Sequence, residues 1–411
     1  MADASGPVAR QERISELDII RGVALFGVLW INVLGHAEFA IPQEHLDALP
    51  TARIDGIVDI LSRWIAQGKA QGLFSLLFGF GFAMLMDRLE GRGADATAIY
   101  LRRLTILLVI GIAHLFLLWN GDILHVYALM GFLLLLTRRW PGWLLLLVGL
   151  ALATFCIPAL VVWETIGFPG GEAPWIAEQT AGQARRFALL QGSDYGAFVA
   201  ENVRVVWYEV YGYPIVPLLL GFVLGRFMVG AWIYRQGWLQ EPKARAAFFR
   251  RWATILIPAG LLLSGLRMLL MTGVDFGVAG NLLVRFVGWA AMLPLALGYA
   301  ALVAALCQKE AWRRRLSGFG ATGQMALTNY VTQSFFFVFV LYGFGLGLLP
   351  WNGATFALGF TIAVFVCQVA FSRWWLARYR FGPLEWVWRS LTYGTRQPMR
   401  LASGREAAPA G

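Results

Sequence analysis

Runs of about 18 or more apolar residues, the length needed to cross a bilayer, recur along this 411-residue chain. "LDIIRGVALFGVLWINVLG" (17–35) is the first of them. Ten spans are predicted: 17–35, 70–87, 101–119, 122–137, 142–163, 209–232, 252–271, 282–306, 325–348 and 354–372. The runs are too long and too continuous for barrel strands, which alternate in polarity over roughly ten residues, so the expected fold is an all-α polytopic membrane bundle. Composition agrees: 58% of residues are hydrophobic and 14% charged, where soluble proteins carry roughly 25% charged residues.

The net charge of +10 does not point to nucleic acid, because Lys and Arg sit in short clusters between apolar runs and no basic stripe is interleaved with exposed aromatics. An N-terminus in the cytoplasm leaves segments 1–16, 88–103, 138–141, 233–251, 307–324 and 373–411 inside. These carry about 24 of the 34 Lys and Arg, so both termini are expected inside. Residues 1–16 read as a disordered start, 17–372 as the membrane domain, and 373–411 as a basic tail with a short helix near 383–392. The opposite face receives two longer segments, 36–69 and 164–208. The first contains an interfacial helix around "DGIVDILSRWIAQ", and the second an amphipathic helix broken near Gly192. Cys156, Cys307 and Cys367 lie in or at the ends of apolar runs and read as packing residues.

Polar side chains inside spans are the informative exceptions, since each is costly unless it faces protein, water or a partner. One group belongs to the inner end. Asp18 and Arg21 are three apart and share a helix face, Asn329 and Gln333 are four apart, and Glu385 and Arg389 have a favourable i,i+4 order. A second group belongs to the outer end: Asn32, His114, Asn120, Asp122, His125, Glu209, Tyr211, Arg267, Asn281 and Arg285. Asn120-Gly121 is a turn signal, and Asp122 is placed to cap the next helix. The outer set is expected to converge on a water-filled cavity. Asp18 and Asn32 are ~21 Å apart along one helix, so the first span is expected to touch both groups.

"GFGATG" (318–323) has neither the Lys-Ser/Thr ending nor the preceding strand of a phosphate loop. No spacing among His36, His45 and His114 supports a metal site. The chemistry available is a His working with a carboxylate: His114 as general base, Asp122 fixing its tautomer, and Asn32 or Arg285 polarising an acyl carbonyl. Asp18, Arg21, Asn329, Gln333, Glu385, Arg389, Arg267, Arg285 and Glu209 form the candidate substrate- and donor-binding set.

Five stretches, "LDIIRGVALFGVLWIN" (17–32), "GLFSLLFGFG" (72–81), "GIAHLFLLWNGDILHVYALMG" (111–131), "GQMALTNYVTQS" (323–334) and "GPLEWVWRSLTYG" (382–394), together resemble the YeiB-like family of bacterial inner-membrane proteins, domain of unknown function 418. On that resemblance Asp18, Arg21, Gly22, Asn32, His114, Gly121, Asp122, Asn329, Gln333, Glu385, Trp386 and Arg389 fall on family motif positions, whereas His36 and His125 do not. The family is grouped with transmembrane acyltransferases, which use a membrane-embedded His. The resemblance therefore implies acyl transfer from a cytoplasmic donor such as acyl-coenzyme A to an extracytoplasmic sugar, glycan or lipid acceptor. No bound cofactor is implied beyond the donor. The sugar acetyltransferases of the wider group carry their His just after the first span, where this chain has only His36 and His45 at other spacings. Two competing readings use the same residues: a transporter or exporter of a solute or lipid, and a non-catalytic membrane protein. Membrane lipids are the expected surroundings in each.

Overall fold

The computed structural model describes residues 14–167, 174–212, 216–240, 242 and 244–401. Residues 1–13 of the expected disordered start and 402–411 of the tail lie outside them.

The chain folds as helices joined by short turns. Among the described residues there is no β-strand, only an isolated bridge between Tyr379 and Arg400. The first half comprises α1 (Ser15–Ala40), α2 (Gln43–Asp47), α3 (Ala52–Ile65), α4 (Lys69–Gly91), α5 (Ala96–Leu117), α6 (Leu124–Leu136) and α7 (Gly142–Gly167). Then follow α8 (Pro174–Gln191), α9 (Tyr195–Val205), a π-helical turn (Val206–Val210), α10 (Val216–Arg235), α11 (Ala246–Met271), α12 (Gly277–Ala290) and α13 (Met292–Leu306). The chain closes with α14 (Glu310–Arg315), α15 (Ser317–Gln324), α16 (Ala326–Leu341), α17 (Ala354–Leu376) and α18 (Pro383–Tyr393).

Among the described residues, eight helical stretches are long and apolar enough to cross a membrane, with α3 and α4 counting as one run of 40 residues. Two shorter apolar helices, α6 and α16, stand beside them. Their outward side chains are apolar: Val109, Leu136, Trp143, Leu262, Val278 and Val366 are all exposed. Water would penalise such a surface and hydrocarbon would not. The chain is thus an all-α, multi-pass membrane protein.

α1 sits at the centre, packed against α4, α13, α15, α16 and α17. Glycine makes this possible. A Cβ on Gly22 would lie 1.9 Å from the Phe319 carbonyl oxygen, and one on Gly323 would lie 1.9 Å from that of Asp18. α1 and α15 therefore meet backbone to backbone, the device by which membrane helices gain contact without a hydrophobic drive between them. Of the "GFGATG" glycines, Gly320 and Gly323 face α1, whereas Gly318 faces Val369 of α17.

Two spans differ from their predicted bounds. Within the run 209–232, α10 is described from Val216, and Glu209 falls in the π-helical turn Val206–Val210, close to Gly212 and Pro214 in the sequence. The run 325–348 becomes α16, ending at Leu341. The backbone at Met325 (φ −110°, ψ 36°) separates it from α15, which forms within the segment 307–324 expected on the inner side, and it stops before the glycines at 343, 345 and 347, of which Gly347 has φ 69°. Gly192 lies between α8 and α9, and Asp194 caps α9 by accepting from Ala197 N at 3.0 Å.

Gly22→Val is expected to lose about 3 kcal/mol or more, because no rotamer change relieves a clash with backbone. Gly359→Ala, where a Cβ meets nothing within 4 Å, is expected to be neutral. Melting of the two purified variants in the same detergent checks the contrast.

Candidate functional site

A cavity of about 600 Å³ runs inside the bundle. α1 contributes Asp18, Arg21, Val28, Ile31 and Asn32 to its wall, one helical stripe ~21 Å long. The stretch expected to touch both polar groups thus lines one continuous space.

The end nearest the start of α1 is basic. Four arginines, Arg21, Arg88, Arg103 and Arg389, line it against two carboxylates, Asp18 and Glu385. Both carboxylates are engaged. Asp18 Oδ1 accepts from Arg21 Nη1 at 2.8 Å. Glu385 reaches from α18 to the first turn of α16, where Oε1 accepts from Leu327 N (2.7 Å) and Thr328 N (3.1 Å) and Oε2 from Thr328 Oγ1 (2.5 Å). It is a helix cap supplied from a distant element. Burial pushes the Glu385 carboxyl above its usual value in spite of these bonds. Arg103 stacks on Trp388 at 3.5 Å, Arg389 on Phe381 at 4.9 Å, and the charges of Arg389 and Arg21 both reach Arg103. Two guanidinium groups within reach of a third favour an oxyanion such as a phosphate.

The opposite end is lined by neutral amides and an indole: Asn32, Gln67, Gln71 and Trp289. Arg267 donates to Gln67 Oε1 at 2.8 Å and lies over Trp289 at 4.7 Å, so it orients wall residues from behind. The middle of the cavity is apolar, with Val28, Phe74, Phe78, Leu107 and Leu124.

The His–carboxylate pair lies one side-chain layer from this space. The Trp119–Ile123 turn joins α5 to α6 and brings His114 Nδ1 to 2.7 Å from Asp122 Oδ1, a charge contact rather than an aligned hydrogen bond. Asp122 Oδ2 accepts from the backbone N of His125 at 2.8 Å and meets its Nδ1 at 2.7 Å. Each imidazole presents its remaining nitrogen to a hydroxyl: His114 Nε2 to Ser334 Oγ at 2.7 Å, His125 Nε2 to Tyr211 Oη at 2.5 Å. A carboxylate facing both Nδ1 atoms fits Nδ1–H tautomers, which leaves both Nε2 atoms as acceptors for the hydroxyls. His114 and Asp122 are 3% and 4% exposed. Gly121, Ile123 and Tyr330 form the intervening wall, and the Tyr330 ring centre is 5.1 Å from that of His114. α5 and α6 approach closely because a Cβ at Gly111 would lie 2.4 Å from His125 N.

The other predicted residues sit elsewhere. Asn329 donates to the Thr322 carbonyl (3.1 Å) and Ser372 Oγ (3.0 Å), and Gln333 donates to Gln368 Oε1 (2.8 Å). They form a buried polar seam between α16 and α17. Arg285 is exposed on α12. Glu209 pairs with Arg186 at 2.9 Å and with Arg204. Asn281 ties its own loop to Asp275 at 2.8 Å. The outer polar set therefore divides into cavity wall, sealed His–Asp cluster and peripheral ion pairs. Sequence reasoning missed Ser334 and set His125 aside. The i+3 spacing of His125 from a helix-capping Asp was the readable signal for His125, whereas nothing local marks Ser334 as the partner of a His 220 residues away. Among the described residues no group of three His, Cys, Asp or Glu could hold a metal.

Ion pairs close the layer above the hairpin. Glu201 on α9 is clamped by Arg185 with two 2.7 Å bonds and by Arg204 at 3.0 and 3.1 Å. Burial pushes the Glu201 carboxyl up, and the two guanidiniums more than reverse this, leaving it below its usual 4.5. Such a group stabilises the fold above its unfolded pKa and loses that contribution as pH falls through the depressed folded value. Acidification below pH 4.5 is therefore expected to speed hydrogen exchange in α8 and α9 before it does so in α1 or α4, and Glu201→Gln is expected to abolish that acid step.

The family described as "Protein of unknown function (DUF418)" matches residues 233–395. The chain is 32% identical over 415 residues to "Uncharacterized protein YxaH" of Bacillus subtilis (strain 168), covering 96% of this chain and 97% of that protein. It is 28% identical over 415 residues to "Uncharacterized protein YeiB" of Escherichia coli (strain K12), at 94% and 98% coverage. A 39.9 kDa protein of Bacillus acidopullulyticus is 28% identical over 408 residues, at 96% and 98% coverage.

Proposed function

The chain belongs to the DUF418 family of proteins of unknown function, and from the geometry above we propose that it is a transmembrane acyltransferase of the bacterial inner membrane. The observation that carries this reading is the single cavity, basic at one end, apolar in the middle and amide-lined at the other, with a His–Asp pair behind its wall. With the basic end in the cytoplasm, Arg21, Arg103 and Arg389 hold the phosphates of a donor such as acyl-coenzyme A. The uncharged arm of the donor lies along the apolar middle. Asn32, Gln67 and Gln71 hold the acceptor, a sugar, glycan or lipid hydroxyl, at the far end.

His114 Nε2 is the general base. The acceptor hydroxyl takes the place on Nε2 now held by the Ser334 hydroxyl, so both Ser334 and Tyr330 turn aside to admit it. Asp122 keeps His114 in the Nδ1–H form and stabilises the imidazolium that follows proton transfer. The acceptor oxygen attacks the thioester carbonyl, its proton passes to His114, and the thiol leaves with a proton returned from His114.

A second reading, export of an anionic amphiphile, draws on the burial of His114 and Asp122, which nothing in the cavity touches directly. Incubation of the purified protein in nanodiscs with radiolabelled acetyl-coenzyme A and a membrane-glycan extract separates the two. Transfer predicts coenzyme A release and labelled glycan or lipid. His114→Ala is expected to lower the rate by about 10²–10⁴-fold, and Arg21→Gln to raise the KM for the donor with a smaller change in kcat. Absence of labelled product, together with flux of a lipid phosphate in proteoliposomes, would replace transfer by export.

A further inference from the structure

Arg226 lies in the middle of α10, eleven residues into a helix of 20. Its side chain is 0% exposed, and its Nε, Nη1 and Nη2 find no acceptor among the described residues. The guanidinium stacks on Phe222 at 3.7 Å. On its other side it lies against bare backbone: a Cβ at Gly72 would be 2.9 Å from Nη1. Among the described residues the ionisable neighbour that acts on it is Tyr127, a neutral phenol, whose hydroxyl is already engaged with Ser75 Oγ at 2.7 Å. An uncompensated guanidinium inside a spanning helix is among the most expensive groups a membrane protein can carry. The cation–π contact offsets only part of that cost.

The place of Arg226 in the wall gives it a use. Phe222, Tyr127 and Gln71 border the outer half of the cavity, and Arg226 stands one ring behind them. Gly72 lets the guanidinium lie flat against α4, and Phe222 is the ring that would have to turn for it to meet the cavity.

We infer that Arg226 anchors an oxyanion, a phosphate or carboxylate group of the molecule occupying the amide-lined half of the cavity. The planar fork with all of its N–H donors unused fits a bidentate oxyanion better than it fits a neutral hydroxyl. This second anionic position is separate from the arginine cluster near Arg21. It applies whether the cavity serves transfer or export, and under transfer it makes the acceptor an acidic sugar, glycan or lipid.

The test titrates purified protein in dodecyl maltoside with dodecyl phosphate, inorganic phosphate and dodecanol, reading affinity and Tm. Dodecyl phosphate is expected to bind saturably and raise Tm, and dodecanol is not. Arg226→Met is expected to weaken dodecyl phosphate binding by about tenfold or more, while raising the Tm of the ligand-free protein, because a buried unpaired charge has been removed. Arg226→Lys keeps the charge without the fork and should bind with intermediate affinity. An Arg226-dependent response to inorganic phosphate as well assigns the site to a free oxyanion, and a response to dodecyl phosphate only assigns it to an amphiphile headgroup; either supports the inference. Unchanged dodecyl phosphate affinity in Arg226→Met overturns it. So does a ligand-free Arg226→Met protein that is less stable or unfolded, which would make the guanidinium a structural group. No saturable response of the wild type to either phosphate overturns it too.

Discussion

Hydrocarbon solvates neither an amide nor a charge, so each polar side chain on a spanning helix of this protein must be answered from within the chain or from an internal space. Three kinds of answer are visible. The α16–α17 seam satisfies itself: Gln368 Nε2 donates to the Asn329 carbonyl at 2.9 Å while its Oε1 accepts from Gln333. The His114–Asp122–His125 cluster shares one carboxylate between two imidazoles and ends in two hydroxyls. Asp18, Arg21 and Asn32 are answered by the cavity they line. The first arrangement is closed on itself, the second lies behind the cavity wall at Tyr330, and the third leaves polar atoms facing the cavity directly.

The position of α1 decides where that space lies. Close contact through Gly22 pulls α15 onto one side of the helix, and Gly27 lets α4 approach, since a Cβ there would be 2.6 Å from that of Ala70. Asp18, Arg21, Val28 and Asn32 recur at helical spacing on the remaining face, which is the stripe left uncovered. Glu385 sets the neighbouring wall. By capping α16 from α18 it fixes the first turn of α16, from which Leu327 and Tyr330 project into the cavity. A helix end buried in the bundle without such a cap would leave its N–H groups unpaired. The cap therefore holds together the helix that presents Tyr330 on one turn and Ser334 on the next.

What could be read from sequence follows the range of the interaction. Apolar runs, the Asn-Gly turn and the cap at Asp122 are local, and the structure brings His114 and Asp122 together where the turn requires. The i,i+3 pair of Asp18 and Arg21 is local too. Glu385 and Arg389 share a helix face by their local spacing, whereas the bonds of Glu385 to the first turn of α16, more than fifty residues away in sequence, have no local mark. Asn329 and Gln333 share a face as their spacing demands. That the face meets Gln368 rather than the cavity depends on the rotation of α16 in the bundle, which no propensity reveals. Glu209 was assigned to a span because its neighbours are apolar, whereas two arginines of the α8–α9 layer hold it outside.

The cavity's own profile weighs between the two uses proposed for it. Its ends are polar and its middle is lined by Val28, Phe74, Phe78, Leu107 and Leu124. Carrying an anion through that middle means stripping its hydration with no donors to replace it, a cost of several kcal/mol. Carrying a neutral acyl group through it costs almost nothing. A molecule whose phosphates stay beside Arg21, Arg103 and Arg389 while its uncharged arm reaches inward suits the profile, and whole-anion export does not. Under the proposed transfer, Tyr330, which lines the cavity and whose ring centre is 5.1 Å from that of His114, is the group that has to move before His114 can meet an acceptor.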